Sequence, residues 1–364
     1  MDTIDSSDSL DLMILNSAKP NAAIGFARRN GDVMISEIPG GKALQNLLDF
    51  TERIRKAVEP GAPSRPADAE LIKFGNDLFD FCFAPSLRSL YTALPPSHIR
   101  LQFLTCDEQM KTIPWEFMQE PSKTPGPRPY RSIVRIVPSF GNDIGPPKPT
   151  ERKIKLLFIA SYPIDQDRVS WDDVSRRIER SMKPYSAFIT LEKCIPGTWD
   201  GFRKAVRTFQ PDVIHFSGHG RAGKQGTQLL FMDPDTNKSV PVGTDKVTAL
   251  LRDKAVRLVV LSACETSTQP RVLQTEYAVL AEELVNSGIS AVVANQLPVQ
   301  DDTTATFAGP LYQKLLETGD IDLAVASGRQ ELFAALDNSS ASANLEWGVP
   351  TVHRHIAGAR IFKV

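Results

Sequence analysis

The sequence is poor in cysteine and histidine, and neither sign of charge dominates. Its 364 residues include four cysteines and no C-x-x-C pair, so neither a disulfide framework nor a cysteine-rich zinc site is expected. Lys and Arg total 42 against 43 Asp and Glu, which gives a net charge of -1. Because a basic excess is missing, we do not expect a dedicated nucleic-acid-binding protein.

Long apolar runs are also missing. No run approaches the ~20 residues that a membrane-spanning helix needs. The acidic N-terminus lacks the basic-then-apolar order of a secretory signal. We therefore expect a cytoplasmic protein that has no membrane partner. The hydrophobic content of 41% and charged content of 23% are those of an ordinary globular protein.

Proline-rich stretches divide the chain into three predicted parts. Residues 1–68 are expected to form a small α+β lead-in that could dock a partner protein, and residues 69–150 a second part. Residues 151–364 alternate between apolar, strand-like runs and amphipathic helices. This alternation predicts an α/β fold with a mostly parallel sheet covered by helices on both faces. Before residue 150, helices are predicted at 42–58 and 69–92.

Two predicted strands end in residues that can carry chemistry. Residues 217–221 read SGHGR and residues 262–266 read SACET, and each segment directly follows an apolar run. Because parallel strands end at the same edge of a sheet, both segments fall at that edge. If the two strands are neighbours, His219 and Cys264 face each other across it.

A cysteine beside a histidine forms a nucleophile–base pair. The imidazole of His219 accepts the thiol proton of Cys264, and the thiolate attacks a carbonyl carbon. The glycines that flank His219 admit the close approach of a substrate backbone. The backbone amides of Gly220 and Cys264 are candidate donors for the developing oxyanion. The alternative is a structural role, in which His219 and Cys264 only pack or form hydrogen bonds within the fold.

A dinucleotide and a metal ion are the alternative ligands for the same residues. Residues 218–223 satisfy G-x-G-x-x-G, but a dinucleotide site needs a helix to start at once, and the sequence continues instead into a strand-like run. His215 and His219 are four residues apart on a strand that runs into a loop, where that spacing does not share a metal-binding face. His353 and His355 have no acidic or cysteine partner nearby. We therefore expect neither a metal nor a cofactor.

Five segments resemble the CHAT family of caspase-like cysteine peptidases. The two central segments are HFSGHG at 215–220 and LSACET at 261–266. IPWEFM at 113–118, AVVANQLPVQDD at 291–302 and Trp347-Gly348 extend the resemblance over about residues 70–364. The separation of His219 and Cys264 is also close to the ~50 residues of caspase-like enzymes.

The resemblance implies a caspase-type fold with an inactive N-terminal half and a peptidase half. It implies His219 as the general base and acid and Cys264 as the nucleophile. A backbone carbonyl commonly orients the histidine in such enzymes, so no third catalytic side chain is required. Gln296 departs from the family pattern, in which a tryptophan often stands, and this changes the expected shape of the substrate pocket.

The substrate pocket has several candidate residues. Asp301 and Asp302 stand where related enzymes with a basic P1 preference carry an acidic pocket residue. The alternative is that these aspartates cap a helix that starts at Thr303. Ser262 and Glu265 flank the nucleophile and are further pocket candidates. A pocket that prefers a small or hydrophobic P1 residue is the remaining alternative.

The expected activity is cleavage of a protein substrate, most plausibly in a prokaryotic defence or signalling system. Residues 267–275 are predicted to form a polar loop. One interpretation is that ordering or cleavage of this loop controls the activity, and the other is that it is an ordinary surface loop. Arg221 and Arg271 are candidate self-cleavage points. An activator protein or an upstream protease are the expected partners. The alternatives are a scaffold or sensor module without turnover and a nucleotide-binding α/β domain.

Overall fold

The structure is a computed structural model. It describes residues 9–16, 23–29, 32–38, 40–58, 66–83, 85–93, 99–105, 107–121, 126, 131–138, 152–168, 170–223, 226–252, 254–265, 274–297, 301–335, 343–355 and 359–364. The strands are β1 (Ser9–Asn16), β2 (Ala23–Arg29), β3 (Asp32–Ile38), β4 (Ile99–Thr105), β5 (Arg131–Ile136), β6 (Ile154–Ala160), β7 (Ile189–Cys194), β8 (Val213–Gly223), β9 (Gly226–Met232), β10 (Ser239–Gly243), β11 (Leu258–Glu265), β12 (Ala291–Asn295) and β13 (Pro350–Arg354).

The helices flank these strands. They are α1 (Lys42–Ala57), α2 (Asp68–Cys82), α3 (Pro85–Thr92), α4 (Glu108–Thr112), α5 (Trp171–Met182), α6 (Trp199–Phe209), α7 (Thr244–Leu251), α8 (Gln274–Asn286), α9 (Asp301–Thr318), α10 (Ile321–Ala334) and α11 (Ala343–Glu346). Single 3₁₀ turns occupy Trp115–Phe117 and Lys183–Tyr185. Within the described ranges, no helix has the length and apolar character to span a bilayer.

All the strands belong to one sheet that contains two parallel blocks. The first block has the order β7-β6-β8-β11-β12, and every neighbouring pair in it is parallel. The second block, β13-β5-β4-β1, is parallel as well. An antiparallel pairing of β12 with β13 joins the blocks. The β9–β10 hairpin and the β2–β3 hairpin add antiparallel strands. The predicted α/β class with a mostly parallel sheet is confirmed.

Helices cover both faces of the sheet because buried strands are apolar on both sides. On one face α5, α9 and α10 pack together, and α5 contacts β8. On the other face α6 and α8 pack on the strands of the first block. Neighbouring residues of β8 illustrate the alternation, since Val213 belongs to the core under α5 and α9 while Ile214 belongs to the core under α6 and α8.

Two of the predicted elements before residue 230 have different bounds in the structure. The predicted helix over residues 69–92 is split into α2 and α3, since Pro85 cannot continue the backbone hydrogen bonds of α2 and instead starts α3. The predicted loop after Gly218 is a strand, because β8 continues to Gly223 and pairs with β9. The glycines of this stretch resemble a loop in sequence, but a neighbouring strand fixes them.

Hydrogen bonds cross both predicted domain boundaries. β1 of the lead-in pairs with β4, and β5 pairs with β13 near the end of the chain. The proline-rich boundary near residue 150 falls outside the described residues, as does most of the linker at 59–68. The three-part division therefore stays a prediction, although its parts share one continuous sheet.

A buried ion network fastens the second block to α10. Arg354 of β13 makes a bidentate ion pair with Asp322, with N–O distances of 2.9 and 2.7 Å. Arg354 also donates to Gln102 of β4 at 2.8 Å. Arg100 of β4 pairs with both Asp320 and Asp322. Because removing one partner of such a pair leaves a buried charge, each substitution here is expected to be strongly destabilising.

Glycines at two helix ends provide a matched test of the packing. Gly319 and Gly288 follow α9 and α8, and both have positive φ values, +69° and +106°. A Cβ on Gly319 would lie 2.0 Å from the carbonyl oxygen of Phe362, whereas one on Gly288 would meet nothing within 4 Å. Both alanine variants lose the conformational freedom of glycine, but only one forces the backbone apart.

We predict that Gly319→Ala lowers the free energy of unfolding by about 1–3 kcal/mol more than Gly288→Ala does. Urea titration of the two variants measures this difference. Equal losses would show that the contact between Gly319 and Phe362 does not constrain the C-terminal segment.

Candidate active site

The register of two parallel strands brings His219 and Cys264 together. β8 and β11 are neighbours, and His219 is the Cα partner of Cys264. Neighbouring strands lie about 4.8 Å apart. The structure describes the backbone of Cys264 but not its side chain. The condition that the sequence left open, that the two strands are neighbours, is therefore met at the level of the backbone.

The position of His219 lies beyond the end of β6, which pairs with β8 only as far as Ser217. Beyond Ser217, β8 pairs with β9 in place of β6, and His219 is the partner of Leu230. The imidazole is 2% exposed. Its Nε2 lies 2.7 Å from the carbonyl oxygen of Asp167. Since a carbonyl can only accept, Nε2 carries the proton, and Nδ1 is the basic nitrogen of the neutral ring.

The Asp167 carbonyl belongs to the β6–α5 loop, which we define as residues 161–168. Asp165 in this loop accepts hydrogen bonds from the backbone N–H and the hydroxyl of Ser239 on β10, each at 2.8 Å. Burial raises the pKa of Asp165, but these hydrogen bonds outweigh that effect and lower the pKa below its ordinary value. The loop is thus tied to the β9–β10 hairpin.

The glycines beside His219 have a packing role that the sequence did not reveal. A Cβ on Gly218 would lie 2.9 Å from the carbonyl oxygen of Ser161, so the β6–α5 loop approaches β8 too closely for any other residue. Gly220 pairs with Glu265 of β11 and with Leu229 of β9. The oxyanion role of the Gly220 and Cys264 amides stays a prediction.

The same stretch does not have the form of a dinucleotide site. β8 runs through Gly223 and β9 begins at Gly226, so no helix N-terminus follows the G-x-G-x-x-G pattern. Arg221, a candidate self-cleavage point, lies within β8 and donates to Gln228 at 3.0 Å. The other candidate, Arg271, and most of the 267–275 loop lie outside the described residues.

The predicted pocket residues occupy different surroundings. Ser262 is buried and lines a pocket between β11 and α9, together with Asn295, Thr303 and Thr304. Asp302 is exposed in the first turn of α9. The predicted helix start at Thr303 is wrong, because α9 begins two residues earlier, at Asp301. The side chains of Asp301 and Glu265 lie outside the described part. Their pocket roles, and that of Asp302, stay predictions.

Three of the segments that carry the CHAT resemblance meet in space. Gln296 donates from Nε2 to Glu116 Oε2 at 2.9 Å and to the carbonyl oxygen of Gly348 at 2.7 Å. Glu116 is fully buried and paired with Arg135, and the guanidinium charges around it lower its pKa against the effect of burial. Gln296, the residue that departs from the family pattern, thus joins the PWEF turn (residues 114–117) to Gly348 by hydrogen bonds. The same two segments also pack together, because the ring of Trp347 lies edge-on against that of Phe117.

The other histidines that the structure describes, His215, His353 and His355, are buried in the fold. His215 donates to or accepts from Tyr312 Oη at 2.9 Å, and burial lowers its pKa to about 3. Burial and nearby cations lower the pKa of His353 to about 3 as well. Because β8 is a strand throughout, His215 and His219 do share a face, contrary to expectation, but they lie about 13 Å apart along it. No metal-ligand cluster of three His, Cys, Asp or Glu side chains occurs among the described residues.

The other cysteines differ from Cys264 in their surroundings. Cys82 is fully buried on α2, where it belongs to the hydrophobic core, and burial raises the pKa of its thiol well above the ordinary value. Cys194 ends β7, is partly exposed, and has a pKa raised by burial. Cys106 lies outside the described residues.

The site defines an α/β protein with a histidine and a cysteine paired at the carboxyl edge of a parallel sheet. The sequence matches the CHAT domain family over residues 73–348, and the chain belongs to this family. No curated protein matches the sequence significantly.

Several solved structures are similar to the chain at low identity. The Arg-specific cysteine proteinase gingipain R (RgpB) has 12% identity and a TM-score of 0.47, over 88% of this chain and 74% of that one. The separase of the Saccharomyces cerevisiae separase–securin complex has 10% identity and a TM-score of 0.47, over 96% of this chain and 30% of that one. The complex of the RgpB pro- and mature domains of Porphyromonas gingivalis has 13% identity and a TM-score of 0.45, over 88% of this chain and 78% of that one.

Sequence patterns missed Asp165, Asp167 and Ser239. The useful signal was that β6 is a third strand ending at the same edge, so the residues after it also border the site. A backbone carbonyl as the partner of His219 has no signature in side-chain identity.

The buried histidines predict how stability depends on pH. His215 and His353 stay neutral in the folded protein down to about pH 3, whereas in the unfolded chain they bind protons below about pH 6.5. Each therefore contributes stability that is full above pH 6.5 and is lost as the pH falls from 6.5 to 3, by about 1.4 kcal/mol per pH unit.

We expect His215→Gln, whose side chain does not titrate, to reduce the slope of unfolding free energy against pH in this window. Urea unfolding between pH 4 and 7 measures the slope. An unchanged slope would contradict the neutral, buried state of His215.

Proposed function

We propose that the protein is a cysteine endopeptidase in which His219 and Cys264 form the catalytic dyad. The observation that carries the proposal is the pairing of His219 with Cys264 across β8 and β11, with the imidazole oriented by the Asp167 carbonyl. Membership of the CHAT family supports the same activity.

The reaction follows from the chemistry of these groups. Nδ1 of His219 takes the thiol proton of Cys264, and the thiolate sulfur attacks the scissile carbonyl carbon. The backbone amides of Gly220 and Cys264 would stabilise the oxyanion of the tetrahedral intermediate. The imidazolium then gives its proton to the departing amine, which leaves a thioester. Water, deprotonated by His219, hydrolyses that thioester and restores the thiol.

The Asp167 carbonyl has a defined part in this cycle. By accepting from Nε2–H, it fixes the tautomer in which Nδ1 is basic, and it stabilises the imidazolium that forms when the thiol loses its proton. An aspartate side chain performs this task in serine proteases, and a backbone carbonyl performs it without a titratable group. The dyad therefore requires no third side chain.

Labelling with a peptide acyloxymethyl ketone tests the proposal. We expect the wild-type protein to be labelled at Cys264 and Cys264→Ala to fold but to lose both labelling and cleavage of peptide-library substrates. Cys194→Ala is the matched control, since it removes another cysteine at a strand end and should keep both activities. Cleavage retained by Cys264→Ala would overturn the proposal. Absence of labelling in a folded wild-type protein would favour a scaffold or sensor module.

The exposed position of Asp302 gives a prediction about P1 preference. Asp302 lies in the first turn of α9, where a negative side chain interacts favourably with the helix dipole. We therefore expect Asp302→Ala to change the cleavage rates of Arg-P1 and Ala-P1 peptides by the same factor, within about twofold. Steady-state kinetics on matched peptides measure the two factors. A loss confined to Arg-P1 or Lys-P1 peptides would assign Asp302 to an acidic pocket.

We propose a protein as the substrate, and an activator protein or an upstream protease as further partners. A role in prokaryotic defence or signalling and a cytoplasmic location stay predictions from the sequence. A peptide-library profile measured with and without the products of neighbouring genes would identify both the P1 preference and any activator.

A further inference from the structure

The β6–α5 loop crosses the edge of the sheet where His219 lies, and its first residue is fixed by the strands themselves. The backbone N–H of Ser161 donates to the carbonyl of Ser217 at 2.9 Å. The Ser161 hydroxyl donates to the carbonyl of Leu230 at 2.7 Å. The loop therefore leaves β6 in a defined direction, directly beside the strand that carries His219.

The middle of the loop depends on a second anchor. The two carboxylate oxygens of Asp165 accept from the N–H and the hydroxyl of Ser239, each at 2.8 Å. The N–H of Ile164 donates to the carbonyl of Asn237 at 2.9 Å. Asp165 thus bonds the hairpin through both oxygens of its carboxylate, and it lies two residues before Asp167.

We propose that Asp165 is a positioning residue for His219, and this inference rests on the proposed peptidase function. By clamping the β6–α5 loop to Ser239, Asp165 places the Asp167 carbonyl 2.7 Å from Nε2 of His219. The clamp thereby selects the tautomer in which Nδ1 is basic. Asp165 acts through the backbone of the loop.

Asp165 is exposed and Ser239 is half-buried, so removal of the clamp should leave the fold intact while loosening the loop. An imidazole that loses a fixed acceptor populates both neutral tautomers and turns more freely. Because misplacement of a catalytic group by about 1 Å can cost up to ~100-fold in rate, the effect on turnover should be large relative to the effect on stability.

The experiment compares three variants and one control in the full-length protein. Asp165→Ala removes both hydrogen bonds, and Asp165→Asn can keep both, since its amide oxygen accepts from the Ser239 N–H and its amide nitrogen donates to the hydroxyl. Ser239→Ala removes one of the two bonds to Asp165, together with the bond that the Ser239 hydroxyl accepts from Gln166 at 3.5 Å. Asp235→Ala, an exposed aspartate in the turn of the same hairpin, is the matched control.

We expect Asp165→Ala to lower kcat about 10- to 100-fold with KM within about twofold, Ser239→Ala to lower it less, and Asp165→Asn and Asp235→Ala to keep most of it. ¹⁵N NMR of His219, assigned with His219→Asn, should show one tautomer in the wild type and a mixture in Asp165→Ala. Unchanged kcat and tautomer in Asp165→Ala would overturn the proposal, as would an equal loss of kcat in Asp235→Ala or a loss of kcat without a tautomer change.

The NMR measurement separates this proposal from the proposed function. If the wild type shows no Cys264-dependent cleavage, the peptidase function fails, and the tautomer of His219 still decides whether Asp165 positions it.

Discussion

The parallel pairing of β8 with β11 is the constraint on which the site depends. A shift of one residue in this register would turn either His219 or Cys264 to the opposite face of the sheet, since successive side chains of a strand alternate. The register is held by apolar side chains on both faces, among them Val213 and Leu258 on one side and Ile214 on the other. The geometry of the dyad is thus a consequence of core packing several residues away.

The remainder of the sheet supports this pairing at a distance. β13 runs antiparallel to β12 and joins the second block to the first, and the buried ion pairs of Arg354 and Arg100 fasten that block to α10. Glu116 and Gln296 connect the PWEF turn to the residues that follow β12. The N-terminal half, which carries no proposed catalytic residue, therefore stabilises the residues directly after β12, next to the pocket that Ser262 and Asn295 line.

Hydrophobic periodicity predicted the α/β class and placed both strand ends at the same edge of the sheet, because buried parallel strands are recognisable as short apolar runs. It left open whether the two strands are neighbours. It did not predict the extension of β8, since glycines at 218 and 220 resemble a loop until β9 supplies a partner. Nor did it predict the Asp167 carbonyl, because any residue presents the same backbone group. The contact between Glu116 and Gln296 joins distant parts of the chain, and no local pattern encodes such a contact.

The central claim is that His219 withdraws the proton of Cys264. The most direct test is the pH dependence of alkylation of Cys264 by iodoacetamide, followed by mass spectrometry, in the wild type and in His219→Ala. We predict a thiolate with a pKa below about 7 in the wild type and a pKa near the free-cysteine value of about 8.5 in the variant. The same ordinary pKa in both proteins would contradict the dyad.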